Sequence, residues 1–344
     1  MDFAFSEEQE QLRGFAREFL AGRYDDTRLA QVADSPSGVD AEVWPKLAEM
    51  GWLDSDLTFL DQAVLFEETG HRPLPAPYFS TMALAAPALG DEAARRISEG
   101  ALKATLAWAE PGRPQGLLDP VTASVSGGRL TGEKVLVPDG GAVDLFVVAA
   151  ADGLYAVEAS EAVVTPRPTI DGTRRVADVR FDDAPARALV TGDQARALLG
   201  RIRDRAYAAL ALESVGVAQR ALDLLVSYAK EREQFGKPIG VYQAVSHKAS
   251  NVYVQLQEAR SLAYWAAWCV SEDDDMARQA CLAAKSLASE AAVFACENAI
   301  QGHGGIGFTW EHVLHRYYKR AQWLAAFDGP GRSQRAEVAA CLLD

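Results

Sequence analysis

The spacing of apolar positions changes twice along this chain. From the start to about Gly100 the apolar residues recur at helical intervals. Leu12, Phe15, Ala16, Phe19 and Leu20 form one stripe, behind Ser6 and Gln9, which have capping-box spacing. "VWPKLAEMGWL" and "FLDQAVLFEETG" predict two more helices, the second stopped by Gly70. "HRPLPAP" predicts a proline-rich turn, and "DEAARRISEG" a short helix with Asp91 as N-cap and Gly100 as its stop.

Near Lys103 the texture changes. "ATLAWA", "VTASVS", "RLTGEKVLV", "VDLFVVAA", "GLYAVEA" and "RRVADVRF" are short and rich in Val, Leu and Thr. Gly127-Gly128, Gly140-Gly141 and Asp152-Gly153 punctuate them as turns do. No helical segment intervenes, so an antiparallel barrel or sandwich is expected rather than a parallel sheet. From about Thr191 the helical period returns. Ile202 to Arg232 is apolar on more than one side, and Val245, Val252, Leu256, Ala259, Leu262, Ala263, Ala266 and Val270 share one side of the next helix. That implies a four-helix-type bundle with a second surface buried against another subunit. The boundaries read as a helical domain over 1–103, a β domain over 104–192 and a helical bundle over 193–344. The fold class is therefore mainly α with a central β domain.

Composition narrows the function. The 344 residues suffice for two or three cored domains, and 49% hydrophobic with 24% charged residues suits a globular protein. A net charge of −14 argues against nucleic acid, though an anionic ligand can still find a local basic pocket. "MDFAFSEEQEQL" lacks the basic and apolar regions of a signal peptide, and no apolar run would span a bilayer, so a cytoplasmic location is expected. Cys269, Cys281, Cys296 and Cys341 lie far apart and read as reduced thiols without metal or disulfide roles.

Two segments carry candidate chemistry. In "YAKEREQFGKPIGVYQAVSHKAS", a helix ends at Arg232-Glu233-Gln234-Phe235 and Gly236, Pro238 and Gly240 turn the chain. An Arg at a helix end offers a bidentate grip on phosphate, and Phe235 could pack on a flat ring. The bland alternative is an αα-hairpin with a solvated Arg and a core Phe. In "ENAIQGHGGIGFTWEHVLHRYYKR", Gly302, Gly304, Gly305 and Gly307 form a flexible loop between helices, which lets backbone approach a ligand that Gln301 could hydrogen-bond. No strand precedes it, so it is not a Rossmann fingerprint. His312 and His315 lie three apart on the next helix; without a third ligand nearby they read as part of an aromatic packing helix rather than a metal pair.

Together these segments resemble the acyl-CoA dehydrogenase family. The similarity runs over nearly the whole chain: an "FxFSEEQ" opening, "AEPG" at the start of the β domain, "REQFGKPIG" and "QGHGGIGFTWEH". The resemblance implies an N-terminal helical domain, a β barrel or sandwich, and a C-terminal four-helix bundle that binds FAD across a subunit interface. It also implies that Arg232, Gln234, Phe235, Gln301, Gly304 and Gly305 reach the ADP part of FAD held mainly by a neighbouring subunit. Substrate and electron acceptor would be an acyl-CoA thioester and electron-transfer flavoprotein.

Other family features are altered. Family members usually read Glu-Pro-Gly-Ala-Gly-Ser-Asp where this chain has Glu110-Pro111-Gly112-Arg113-Pro114-Gln115-Gly116. The family strand that places Trp beside the flavin and a hydroxyl at its reactive nitrogen reads Glu133-Lys134-Val135-Leu136-Val137-Pro138-Asp139, with Leu136 for Trp and Pro138 for Ser or Thr. Proline has neither hydroxyl nor N–H.

A carboxylate must remove the α proton while the β hydrogen leaves as hydride. Where many relatives place Glu, this chain has Asp328 within Phe327-Asp328-Gly329-Pro330. That side chain is shorter by about 1.5 Å, and such a misplacement costs ~100-fold in rate. The family's alternative base position, on the first bundle helix, is Ala206. Glu213, alone among apolar neighbours two turns on, could pair with Arg or Lys, be solvated through a gap, or act as an unusual base.

Three readings follow. In the first, the chain is a subunit of an α₂β₂ flavoenzyme that lends residues to FAD in a longer homologous partner, resembling the small subunits of actinobacterial dehydrogenases of steroid side-chain CoA esters. In the second it is a self-sufficient homo-oligomer with Asp328 or Glu213 as displaced base. In the third it is a scaffold subunit without turnover.

Overall fold

A computed structural model describes residues 5–113 and 115–343. Phe3 of the opening motif and Pro114 of the altered loop lie outside them. The chain divides into two compact units: Met1–Arg28, Thr58–Leu74 and Tyr207–Asp344 form one, Leu29–Leu57 and Pro75–Ala206 the other.

The first unit is helical. Helix α1 (Glu7–Arg23) starts on the capping box that its sequence predicts, Ser6 and Gln9 exchanging hydrogen bonds of 3.1 Å. Helix α2 (Asp26–Asp34) straddles the boundary between the units; it was not foreseen, being short, with Leu29, Val32 and Ala33 buried. Helix α3 (Val43–Glu49) belongs to the second unit and α4 (Phe59–His71) to the first. In the second unit, a π-helical turn at Ser80–Ala85 precedes α5 (Asp91–Ser98). The N-cap of α5 is Gly90, not Asp91: Asp91 is the first helical residue, where its charge favours the positive end of the helix dipole.

Helix α6 (Asp193–Glu231) crosses the boundary, and α7 (Gln243–Ser271), α8 (Ala277–His303), α9 (Leu314–Ala326) and α10 (Gly331–Leu343) complete the first unit. Glycines let α4 and α6 approach. A Cβ on Gly70 would lie 2.0 Å from the Glu213 carbonyl oxygen, and one on Gly216 would lie 1.9 Å from that of Glu67. Gly302, expected in a loop, is the penultimate residue of α8, and a Cβ there would meet Leu225 of α6 at 2.2 Å.

The second unit holds two four-stranded sheets. One is ordered β1 (Ala104–Ala107), β4 (Leu145–Ala150), β5 (Gly153–Glu158), β8 (Arg187–Thr191); the other β2 (Ser124–Ser126), β3 (Arg129–Pro138), β7 (Val176–Pro185), β6 (Val163–Arg167). Pairing is antiparallel except between β1 and β4, which run parallel. The departure from an all-antiparallel expectation has a topological cause: β2 and β3 lie between them in sequence and belong to the other sheet, giving the long connection that a parallel pair needs. Ala107, Phe146, Val148, Tyr155 and Val157 of the first sheet share a core with Leu130, Val137, Val179 and Phe181 of the second. The sheets therefore form a sandwich, not a closed barrel. Gly127 and Gly128, at φ 57° and 75°, make the two-residue turn between β2 and β3.

Candidate functional site

The turn after α6 builds a projecting hairpin. The Arg232 N–H donates to the Tyr228 carbonyl at 2.8 Å and closes the helix. Strands β9 (Glu233–Gln234) and β10 (Lys237–Pro238) then pair antiparallel around Phe235 and Gly236, at φ 54° and 75°. Two positive φ values suit the right-handed twist of a tight hairpin, and the second falls on glycine. The first falls on a bulky residue, where left-handed backbone is costly. The result is a Phe235 ring 92% exposed, touched edge-on by Tyr242 with centroids 6.3 Å apart. It is not a core Phe. The Tyr242 hydroxyl donates to the Gln234 carbonyl at 3.1 Å and braces the hairpin. The Arg232 side chain is exposed and makes no ion pair among the described residues.

The second segment lies at the end of α8. Gln301 is exposed on its last turn, and Gly304 takes φ 62°, ψ −138°, open to glycine but strained for other residues. A Cβ on Gly304 or Gly305 would meet nothing within 4 Å, so backbone here is open to an incoming group. Phe308 and Trp310 beyond it are 76% and 75% exposed, with Lys319 over the Trp310 ring at 4.0 Å. His303 stacks on Tyr228 at 4.3 Å and meets His312 at 4.4 Å. His312 precedes α9 rather than lying on it, its Nδ1 accepting from the Leu314 N–H at 3.2 Å.

The two carboxylates weighed as bases are both engaged. Glu213 is 1% exposed and ion-paired with Arg320, itself fully buried on α9. Of the three readings open for that lone acid, pairing with a neighbouring helix is the one observed. Asp328 occupies the turn between α9 and α10 at φ 55°, and its Oδ2 accepts from the Tyr207 hydroxyl at 2.8 Å. Ala206, adjacent to Tyr207, is buried and supplies no base.

The segment after β1 is tied inward. Glu110 accepts from the Lys134 ammonium at 2.8 Å, the Thr122 hydroxyl at 2.6 Å and the Ala123 N–H at 2.8 Å. Burial would raise this carboxyl, but those donors hold it down at about 2. Burial likewise lowers the Lys134 ammonium, opposed by Glu110. On β3, a bulge places Leu136 at φ 54° and 46% exposed, its N–H 3.3 Å from Asp178 Oδ1. Pro138 is buried at the strand end, its carbonyl accepting from the Thr105 hydroxyl at 2.7 Å. A flavin ring would find an aliphatic side chain at Leu136 and no donor at Pro138.

FAD therefore meets two different fits. The hairpin and α8 terminus, with a guanidinium that makes no ion pair among the described residues, an exposed aromatic ring, an exposed amide and open glycine backbone, suit a phosphate-bearing cofactor. The β3 edge does not suit an isoalloxazine ring. Tyr207, Arg320 and Lys134, the buried partners of Asp328, Glu213 and Glu110, escaped the sequence reading. Adjacency to Ala206 was the only available signal for Tyr207.

The fold is that of the acyl-CoA dehydrogenases. "Acyl-CoA dehydrogenase, C-terminal domain" matches residues 204–343. Acyl-CoA dehydrogenase IpdE2 of Mycolicibacterium smegmatis is 30% identical, over 96% of this chain and 97% of that protein. A chain of a variant of the Tcur3481-Tcur3483 steroid ACAD is 30% identical, with TM-score 0.87 and 98% of each chain covered. A chain of the ChsE4-ChsE5 complex from Mycobacterium tuberculosis is 26% identical, with TM-score 0.89, covering 100% of this chain and 99% of that one. The chain belongs to the acyl-CoA dehydrogenase family, whose members are flavoproteins that use FAD.

Proposed function

We propose that this chain is one subunit of a hetero-oligomeric, FAD-dependent acyl-CoA dehydrogenase, which desaturates an acyl-CoA thioester at its α,β bond. It lends Arg232, Gln234, Phe235, Gln301, Gly304 and Gly305 to the ADP end of FAD seated mainly in a longer homologous subunit. One contrast carries the reading. The side chains that would reach a neighbour's cofactor are exposed and the backbone at Gly304 and Gly305 has open space beside it, while Leu136 and Pro138 leave this chain's own β3 edge without ring or donor. An apolar groove of about 330 Å³ beside the hairpin, lined by Val226, Ala229, Pro238, Val241 and Val245, offers a surface for the partner. The likeness to chains of two complexes, one a steroid ACAD, supports a hetero-oligomer acting on a steroid-derived acyl-CoA. Electron-transfer flavoprotein is the acceptor that the family implies.

Asp328 and Glu213, bound to Tyr207 and Arg320, serve as structural acids in this reading, and the partner supplies the base. Expression of the chain alone and together with a longer homologous acyl-CoA dehydrogenase subunit tests the proposal. The lone chain should purify without stoichiometric FAD, and the pair should be yellow and reduced by acyl-CoA. A lone chain that is yellow and reduced by substrate would refute it.

A further inference from the structure

The loop that carries Gly304 and Gly305 is closed at its two ends by one pair of rings. His303, the last residue of α8, is 5% exposed and meets the His312 ring with centroids 4.4 Å apart. It also stacks on Tyr228 of α6 at 4.3 Å and 22°. Between the two histidines the chain turns back on α8. Gly307 is buried, and a Cβ there would lie 2.5 Å from the Ile300 carbonyl oxygen and 3.1 Å from the His303 Cβ. The Thr309 N–H and hydroxyl both donate to the Ile306 carbonyl, at 3.1 and 2.9 Å.

Hydrogen bonding fixes where the ring protons sit. A carbonyl oxygen only accepts, so the His303 Nδ1, 2.7 Å from the Ala299 carbonyl, carries a proton. A backbone N–H only donates, so the His312 Nδ1, 3.2 Å from the Leu314 nitrogen, is bare. Leu314 opens α9, where an N–H has no carbonyl within the helix to bond, and Val313 before it gives no side-chain cap. His312 is thus the cap of α9, and only its uncharged ring can fill that role. A proton on its Nδ1 would set donor against donor and place a cation at the positive end of the helix dipole. It would also charge a ring 4.4 Å from a second imidazole. His303 is the more tolerant of the two, since the aromatic face of Tyr228 attracts a cation.

We infer that His312 is a proton-sensitive clasp, a positioning residue that when uncharged caps α9 and closes residues 304–311 against His303 and Tyr228, and when protonated at Nδ1 releases them. The charged groups nearby do not relieve a proton there. Arg220 of α6 opposes it, and Asp26 of α2, which favours it, is engaged by Arg72 at 2.7 Å. Asp223 of α6 pairs with His71 at 3.0 Å, and the Tyr317 hydroxyl of α9 donates to the His71 carbonyl at 3.1 Å. His315 and Lys319 of α9 lie against Trp310, and Glu311 is bonded to Thr309. Tyr318 of α9 reaches Glu297 of α8 at 3.4 Å.

The pH dependence has a definite sign. Burial lowers both imidazoles from the ordinary 6.5, and His303 lowers His312 further. An open loop, its rings in water, therefore takes up protons before the closed one does. Closure is fully favoured above pH 6.5 and loses ground as pH falls below it. Acid then loosens this chain's hold on a partner's cofactor, a consequence that rests on the FAD-lending reading; the clasp itself does not.

Amide hydrogen exchange of the full-length chain tests the clasp. Between about pH 7.5 and about pH 5, protection of the Leu314 N–H should fall roughly fivefold or more beyond the intrinsic change in exchange rate. In His312→Asn it should change by less than about twofold, because an amide oxygen accepts from the N–H two residues on and does not titrate. The His312 ring, followed by its proton NMR signal, should titrate below 6.5. Unchanged Leu314 protection in acid, an equal loss in His312→Asn, or a His312 ring that titrates at or above 6.5 would overturn the clasp. Should His312→Asn fail to fold, the two wild-type readouts decide by themselves. None of these measurements involves flavin, so failure here leaves the FAD-lending reading standing.

Discussion

Phe235 is placed where its backbone is uncomfortable. A left-handed φ for a ring-bearing residue in a two-residue turn persists only where the surroundings enforce it. Here β9–β10 pairing and the Tyr242 brace do so, and the ring and the Arg232 side chain are both exposed. The Arg232 guanidinium makes no ion pair among the described residues, which leaves its donors open to a phosphate. Charge-assisted hydrogen bonds are worth about 1.5–3 kcal/mol. Arg232→Ala should therefore weaken FAD retention by the assembled enzyme roughly tenfold or more, measured as bound flavin after dialysis. Unchanged flavin content would contradict the lending role.

At the level of helices and strands, close approach governs the helical unit. Gly70 and Gly216 face backbone of the opposite helix where α4 meets α6, and neither site has room for a Cβ. Helix backbone cannot step aside as a flexible side chain can. Gly216→Ala should thus cost about 1–3 kcal/mol or more by overpacking, despite the better helix propensity of Ala. Thermal unfolding of the variant should begin several degrees lower; an unchanged or raised midpoint would show that the crossing is looser than its geometry. In the sandwich, the analogous constraint is Glu110, which ties the segment after β1 to β3 through Lys134.

Stability of the molecule against acid should depend on that tie. Glu110 titrates at about 2 when folded and near 4.5 otherwise. Its stabilisation is complete above pH 4.5 and disappears as pH falls toward 2, a change of about 3 kcal/mol at 1.4 kcal/mol per unit. Glu110→Gln should be less stable at neutral pH, because it strands the buried Lys134, and should show a shallower loss between pH 4.5 and 2. Parallel acid-unfolding curves for the two proteins would remove Glu110 from the account. Among the described residues no helix is long and apolar enough to cross a membrane.

Local rules made much of this protein readable in one dimension. The Ser6 capping box, the Gly127-Gly128 turn and the change of apolar period at β1 and α6 depend on neighbours a few residues away, and those interactions survive in the fold. The motifs around Arg232 and Gln301 were legible for the same reason, because a short run of residue types suffices to identify them. Partnerships between distant residues were not legible. The lone acid at Glu213 announced a need for compensation, but Arg320 lies 107 positions away. The choice between a ring that reaches outward and a core Phe at position 235 was decided only by the β9–β10 hairpin, which leaves the ring exposed. Short elements such as α2, β6 and β8 escaped too, since their few residues hold no clear period until tertiary packing selects a face. A buried charge is compensated by whatever the fold brings beside it, and that adjacency arises only when the chain closes on itself.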